Sequence, residues 1–200
     1  AVVCNSATAA LHMCYISLGL GPENGLITSP ISFLSTATAA LMCGAKVGFA
    51  DVCAETGNVT LSSIQAAVEK ANFKVRAITI VHLGGRPCKD IEKISSFASS
   101  IGAYLIEDAC HAPKAGYSDA SGKKFTVGRC SHSEAATFSF HAIKHITTGE
   151  GGAILTNKKQ IAEKARLIRS HGISRPCEKL KLQGEVSPPW YYEARLLGYN

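Results

Sequence analysis

Apolar positions along this 200-residue chain fall into two alternating rhythms. Leu11, Cys14, Tyr15 and Leu18 recur at helical spacing behind the small polar run Asn5 to Thr8, and Gly19 and Gly21 stop the pattern, which predicts a helix from Thr8 to Leu18. Gly25 to Thr28 then reads as a short strand, Phe33 to Cys43 as a helix closed by Gly44, and Val47 to Ala50 as a strand. Thr60 caps a helix with Leu61, Ile64, Val68 and Ala71 on one face. The β-branched run Arg76 to His82 predicts a buried strand, and Asp90 to Ile101 a helix with apolar positions 91, 94, 98 and 101. Strands at Ala103 to Ile106, Ala135 to Phe140 and Gly152 to Thr156 follow, and a helix from Lys159 to Arg169 completes the set. Strands alternating with helices of this length imply crossover connections and a mostly parallel sheet with helices on both faces, so the class is α/β.

Composition adds limits. With 46% apolar and 18% charged residues the chain can bury one sizeable core, and no apolar run approaches the ~20 residues a membrane-spanning helix needs. The start shows no basic segment leading into an apolar one, so a cytoplasmic protein with no membrane partner is expected. The eight cysteines are scattered, without a CxxC pair, as expected of reduced and mostly buried thiols. The formal charge of +6 is matched by the excess between Lys158 and Lys181, where eight Lys or Arg face two Glu. No aromatic residue is interleaved there, so the run reads as a solvated face and no nucleic-acid partner is expected. After Gly172 the periodicity fades into a charged, Pro-containing tail. The expected organisation is a domain over residues 1–175 and a tail over 176–200 leading toward a small C-terminal domain, the chain being a piece of a longer protein.

In a parallel sheet, ligands collect beyond the carboxyl ends of the strands, where helix N-termini present free amides. Those ends carry Asn5 to Ala9, Pro30 to Phe33, Asp51, His82, Glu107 to His111, and Ser139 to Lys144. Small residues that let backbone approach an anion, an aromatic ring, an acid flanked by apolar residues and a lysine together suit a phosphorylated aromatic cofactor bound to lysine, and other anions too. Metal chemistry fits poorly: His141 and His145 are four apart, but no Glu follows His141 as in HExxH and Lys144 stands between them. Gly116 to Lys124 fails as a P-loop, because five residues precede Gly122-Lys123 and Lys124 replaces the Ser/Thr. Gly149 to Gly152 fails as GxGxxG, with Ile154 at the third glycine.

The runs Asn5 to His12, Thr28 to Phe33, Ile106-Glu107-Asp108-Ala109-Cys110-His111-Ala112 and, above all, Phe138 to Gly152 (FSFHAIKHITTGEGG) resemble the DegT/DnrJ/EryC1/StrS sugar aminotransferases. That resemblance spans the chain. It implies a three-layer sandwich with a mostly parallel sheet, the large domain of the aspartate aminotransferase-like PLP-dependent transferases of fold type I. It also implies pyridoxal 5′-phosphate (PLP) as cofactor, Lys144 as Schiff-base lysine and proton shuttle, and Asp108 as partner of the pyridinium nitrogen. By the same resemblance His111 stands near the phenolic oxygen, Phe33 stacks on the ring, and Ser139 with the amides of Thr8 and Ala9 holds the phosphate. The implied reaction moves an amino group from an amino-acid donor, L-glutamate, to a keto sugar nucleotide in a homodimer. The lysine-bearing motif is most similar to the pseudaminic acid branch, which aminates C4 of a UDP-linked 4-keto-6-deoxy sugar, although position 145 is His where that branch usually has Pro. The alternatives are a pyridoxamine-phosphate-dependent sugar dehydratase, whose relatives carry His in place of Lys144, and a noncatalytic remnant of the fold.

Overall fold

Ser6 starts the first helix: its extended backbone leaves the side chain free to accept the Ala9 amide at 3.1 Å, and Gly19, at φ +79°, ends it in the left-handed conformation that glycine adopts without strain. The resulting helix α1 (Ala7–Leu18) buries Ala10, Leu11, Met13, Cys14, Tyr15 and Leu18, which makes it a core helix. The computed structural model describes residues 1–174 and 190–200.

Seven strands form the central sheet: β1 (Val2–Cys4), β2 (Asn24–Thr28), β3 (Lys46–Phe49), β4 (Lys74–Val81), β5 (Tyr104–Asp108), β8 (Ala135–Ser139) and β9 (Gly152–Leu155). Their order is β1-β9-β8-β5-β4-β2-β3. The pairings among β3, β2, β4, β5 and β8 are parallel, while β9 runs antiparallel to both of its neighbours. The helices between parallel strands are α2 (Ser35–Met42), α3 (Leu61–Lys70) and α4 (Ile91–Ser100), and α5 (Lys159–Arg169) follows β9. Thr60 and Ser63 close a capping box on α3, as the cap predicted from sequence requires.

Alternation along each strand divides the core. Leu26, Ala77 and Ile106 pack with α1, Ala39 and Ala40 of α2, and α5; Ile27, Ile78, Ile80 and Leu105 pack with Ile64 of α3 and Ile91, Ile94 and Ala98 of α4. The result is the three-layer α/β sandwich expected. Two further antiparallel pairs lie outside it: β6 (Gly116–Ser118) with β7 (Lys124–Thr126), and β10 (Ile173–Ser174) with β11 (Glu193–Ala194). The second pair returns the C-terminal segment to the sandwich, where Leu196 and Tyr199 pack on the α1 core and Tyr199 meets His12.

The domain boundary expected at 175–176, and the part of the basic run from Arg175 to Lys181, lie outside the described residues. Within them α5 buries Ile161, Ala162, Ala165 and Ile168 and leaves Lys159, Glu163 and Arg166 exposed, a solvated face. Cys14, Cys88 and Cys130 are buried and Cys4, Cys43, Cys53 and Cys110 half-buried, so the thiols among the described residues are less uniformly interior than expected; Cys177 lies outside them. No helix among the described residues is long and apolar enough to cross a membrane.

Candidate active site

Where β4, β5 and β8 end, their last residues meet the N-terminus of α1 and the turn before α2 around a cavity of about 310 Å³. Thr8, Phe33, Asp108, His111, Ser139 and Lys144 all line it, so six of the seven residues singled out from sequence share one space. Ala9 does not line it. Its amide is spent on the Ser6 cap, and the lining residue is Ala7, two positions earlier.

One wall is an anion cradle in its chemistry. The first-turn amides of a helix have no intrahelical acceptor, and of those in α1 Ser6 takes only that of Ala9, which leaves the cavity residues Ala7 and Thr8. Gly152 fixes where this helix end sits. It pairs with both Ser139 and Cys4, and a Cβ on it would overlap the Ser6 carbonyl and stand 2.6 Å from the Ala7 nitrogen. The helix therefore rests directly on the backbone of β9, beside Ser139. The Thr8 hydroxyl is tied to Ser35 Oγ at 2.6 Å, which joins the starts of α1 and α2.

Asp108 closes β5 and is buried. The Thr36 hydroxyl donates to its Oδ2 at 2.7 Å and the Cys110 amide to Oδ1 at 3.2 Å. Thr36 is braced in turn, since the fully buried Tyr15 hydroxyl donates to its carbonyl at 2.9 Å. Burial first, then the Asp108 charge, pushes the Cys110 thiol up and keeps it protonated.

His111 faces the same cavity, and the Gly84 amide donates to its Nδ1 at 3.3 Å. Burial and then the nearby Lys144 charge hold this imidazole below its usual range, against a smaller opposing pull from Asp108. Phe33 is 66% exposed, so its ring is available at the mouth and not consumed by the core.

Lys144 lies in the loop between β8 and β9, and the residues around it explain the motif. The Phe140 amide donates to the Gly151 carbonyl at 2.8 Å and the Thr148 amide to the Phe140 carbonyl at 2.9 Å, closing the loop at its base. The Thr147 hydroxyl donates to the Phe140 carbonyl at 3.2 Å and that of Thr148 to the Glu150 carbonyl at 2.7 Å. Two threonines and the glycines thus brace a loop that carries one lysine into the cavity. Sequence reasoning missed Thr36 and Tyr15, whose contacts join positions far apart in the chain, and Gly84, whose only contribution is a backbone amide.

An α/β sandwich whose strand ends gather a lysine, an aspartate and a helix N-terminus in one cavity is the architecture of the fold type I transferases that use PLP. The whole chain, residues 1–200, belongs to the DegT/DnrJ/EryC1/StrS aminotransferase family, whose members are PLP-dependent. It is 42% identical over 173 residues to the UDP-4-amino-4,6-dideoxy-N-acetyl-beta-L-altrosamine transaminase of Campylobacter jejuni, a match over 86% of this chain and 43% of that protein. It is 36% identical over 201 residues to the spore coat polysaccharide biosynthesis protein SpsC of Bacillus subtilis, covering 100% of this chain and 48% of that one. Among solved structures, Helicobacter pylori PseC, an aminotransferase involved in the biosynthesis of pseudoaminic acid, superposes with a TM-score of 0.81 at 30% identity over 99% of this chain and 48% of that chain. The chain spans about half the length of the curated relatives it matches.

Proposed function

We propose that this chain forms the cofactor-binding part of a sugar-nucleotide aminotransferase. The observation that carries the reading is the convergence of Lys144 and Asp108 on one cavity whose far wall is the N-terminus of α1. When bound, PLP supplies an aldehyde carbon for amine exchange and a ring that takes up electron density. The residues fit that group. The amides of Ala7 and Thr8 with the Ser139 hydroxyl hold its phosphate, and the Gly152 contact keeps them in place. Asp108, anchored by Thr36 and Cys110, holds the ring nitrogen protonated. Phe33 covers a ring face. His111, neutral and with Nδ1 engaged by Gly84, offers Nε2–H to the phenolic oxygen. Lys144 would hold the cofactor through Nζ and, when that amine is free, the same Nζ would accept and return a proton as general base and acid.

The substrates are an amino-acid donor, L-glutamate, and a keto sugar nucleotide. The name of the Campylobacter jejuni transaminase favours a UDP-linked 4-keto-6-deoxy sugar aminated at C4. Residues 1–175 make up the large domain, the segment 190–200 returns to pack on it, and the chain leads on to a second domain. The enzyme is a cytoplasmic homodimer, in which a second copy covers the exposed Leu34 beside the mouth and Leu41 and Met42 at the other end of α2.

The test uses the full-length protein. Borohydride reduction in the presence of PLP should fix the cofactor on Lys144, and a panel of keto sugar nucleotides should reveal one that accepts an amine from glutamate. Lys144→Ala should abolish both with the fold intact. Labelling elsewhere, or turnover by that variant at the unaltered rate, refutes the reading.

A further inference from the structure

The turn after β4, residues 82–85, is bound to the end of β5 by contacts that run from one face of the sheet to the other. The His82 amide donates to the Asp108 carbonyl at 3.1 Å. The His82 ring is fully buried, with Nε2 3.0 Å from Glu107 Oε2. Its Nδ1 accepts the Cys88 amide at 3.0 Å, so Nε2 carries the proton and donates to the carboxylate. Two residues further on, the Gly84 amide donates to His111 Nδ1. Gly85, at φ +83°, then lies against the His111 backbone, where a Cβ would stand 2.7 Å from the carbonyl oxygen.

Glu107 and Asp108 are neighbours on a strand, so they point to opposite faces. Asp108 faces the cavity. Glu107 lies behind the sheet, almost wholly buried, where the Ser133 hydroxyl donates to Oε1 at 2.5 Å and the Gly128 amide to Oε2 at 3.5 Å. A buried carboxylate needs such partners, because an uncompensated charge in the interior is strongly unfavourable. The turn meets that need on one face. On the other it reaches the backbone of Asp108 and the ring of His111.

We propose that residues 82–85 form a positioning clamp, anchored by the buried His82–Glu107 contact, that sets the end of β5 and locks His111 as the tautomer protonated at Nε2. Its bearing on catalysis rests on the function proposed above; the tautomer does not. His82, Glu107, Gly84 and Gly85 touch no substrate and act through Asp108 and His111.

The experiment is nitrogen-15 NMR of histidine-labelled, cofactor-free full-length protein at mildly alkaline pH, with His111→Gln to assign the ring, alongside affinity for pyridoxamine 5′-phosphate, which makes no bond to Lys144. The ring of His111 should show Nδ1 bare and Nε2 protonated. Gly85→Ala should mix the tautomers and weaken pyridoxamine 5′-phosphate binding about tenfold, the low end for loss of a supporting contact behind a ligating group. Glu107→Ala should do the same. Glu107→Gln should restore most of the loss, since its amide oxygen can face His82 and Gly128 while its nitrogen donates to Ser133. A His111 ring protonated at Nδ1 in the unaltered protein overturns the proposal even if no variant folds, as does an unchanged ring and affinity in folded Gly85→Ala and Glu107→Ala. Failure of borohydride to label Lys144 would sink the aminotransferase reading and leave the tautomer result standing.

Discussion

Gly152→Ala probes the junction that holds the proposed phosphate site. The added Cβ would stand 2.6 Å from the Ala7 nitrogen, about 0.8 Å inside an ordinary contact of 3.4 Å, and would also overlap the Ser6 carbonyl. Both neighbours are backbone, so neither can swing aside. The Ser6 carbonyl, met closer still, sets the relief needed: the first turn of α1 must move off β9 by about 1.1 Å, enough to spoil hydrogen bonds whose useful range is a few tenths of an ångström. Hydrogen bonds to a charged group contribute roughly 1.5–3 kcal/mol each. Loss of one, at about 1.4 kcal/mol per factor of ten, weakens phosphate-dependent binding roughly ten- to a hundredfold. The same crowding costs about 1–3 kcal/mol of stability. Affinity should be measured for pyridoxamine 5′-phosphate and for pyridoxamine, with a melting curve beside each. The variant should lose affinity for the phosphorylated ligand and leave binding of the other nearly unchanged. Equal loss for both ligands, or no loss in a folded variant, would refute the idea that α1 and β9 together build the anion site.

Three other outcomes follow from the same geometry. Phe33→Ala should weaken binding of pyridoxamine 5′-phosphate by about 0.5–1.5 kcal/mol, or roughly two- to tenfold, with little change in melting temperature because the ring is 66% exposed. In cofactor-free protein the melting temperature should fall as pH drops below His111's ordinary value of 6.5. Its titration is lowered by burial and then by Lys144, so the unfolded chain takes up the proton first, and stability present above 6.5 is lost toward the lowered value; His111→Gln should flatten that slope, leaving a remainder from His12, which burial lowers as well. Thr36→Val, which keeps the shape of a buried residue, leaves Asp108 Oδ2 without its hydroxyl donor and should lower the melting temperature of the cofactor-free protein by several degrees, for a loss of about 1.5–3 kcal/mol; an unchanged melting curve would show that the hydroxyl does not hold Asp108.

What could be read from the sequence was what neighbours in the chain decide. The Thr60 cap, the stops at Gly19 and Gly44, and α5 to the residue all follow from side chains within one turn of the feature they specify, whereas the Ser6 cap starts α1 at Ala7, one residue before the predicted Thr8. Phe33 and Leu34 extend the apolar pattern that predicts α2, yet the helix begins at Ser35 and both are left exposed at the mouth. Apolar spacing marks what avoids water, and a residue kept for a ligand or a second copy looks the same. The hairpin β6–β7 escaped notice because strands of three residues have no period to detect. Its turn, where Asp119 accepts the amides of Ser121 and Lys123, is the segment whose glycines superficially suggested a P-loop.

The contacts that escaped the sequence reading are also those that set the chemistry of the proposed site. Lys144, Asp108 and Ser139 were visible because their motifs are contiguous, but a motif supplies only the functional group. The orientation of Asp108 comes from Thr36, 72 residues away, and the state of the His111 ring from a backbone amide 27 residues away. Backbone amides have no residue type, so Gly84 could serve His111 in any sequence that makes the same turn. Glu107 shows the converse: its type was plain beside Asp108, and its face was not, until strand alternation put it behind the sheet with His82. Two adjacent carboxylates at the end of β5 therefore hold unlike environments, one sealed by His82 and Ser133, the other open to a ligand, and exchanging their surroundings would require moving the strand by a residue.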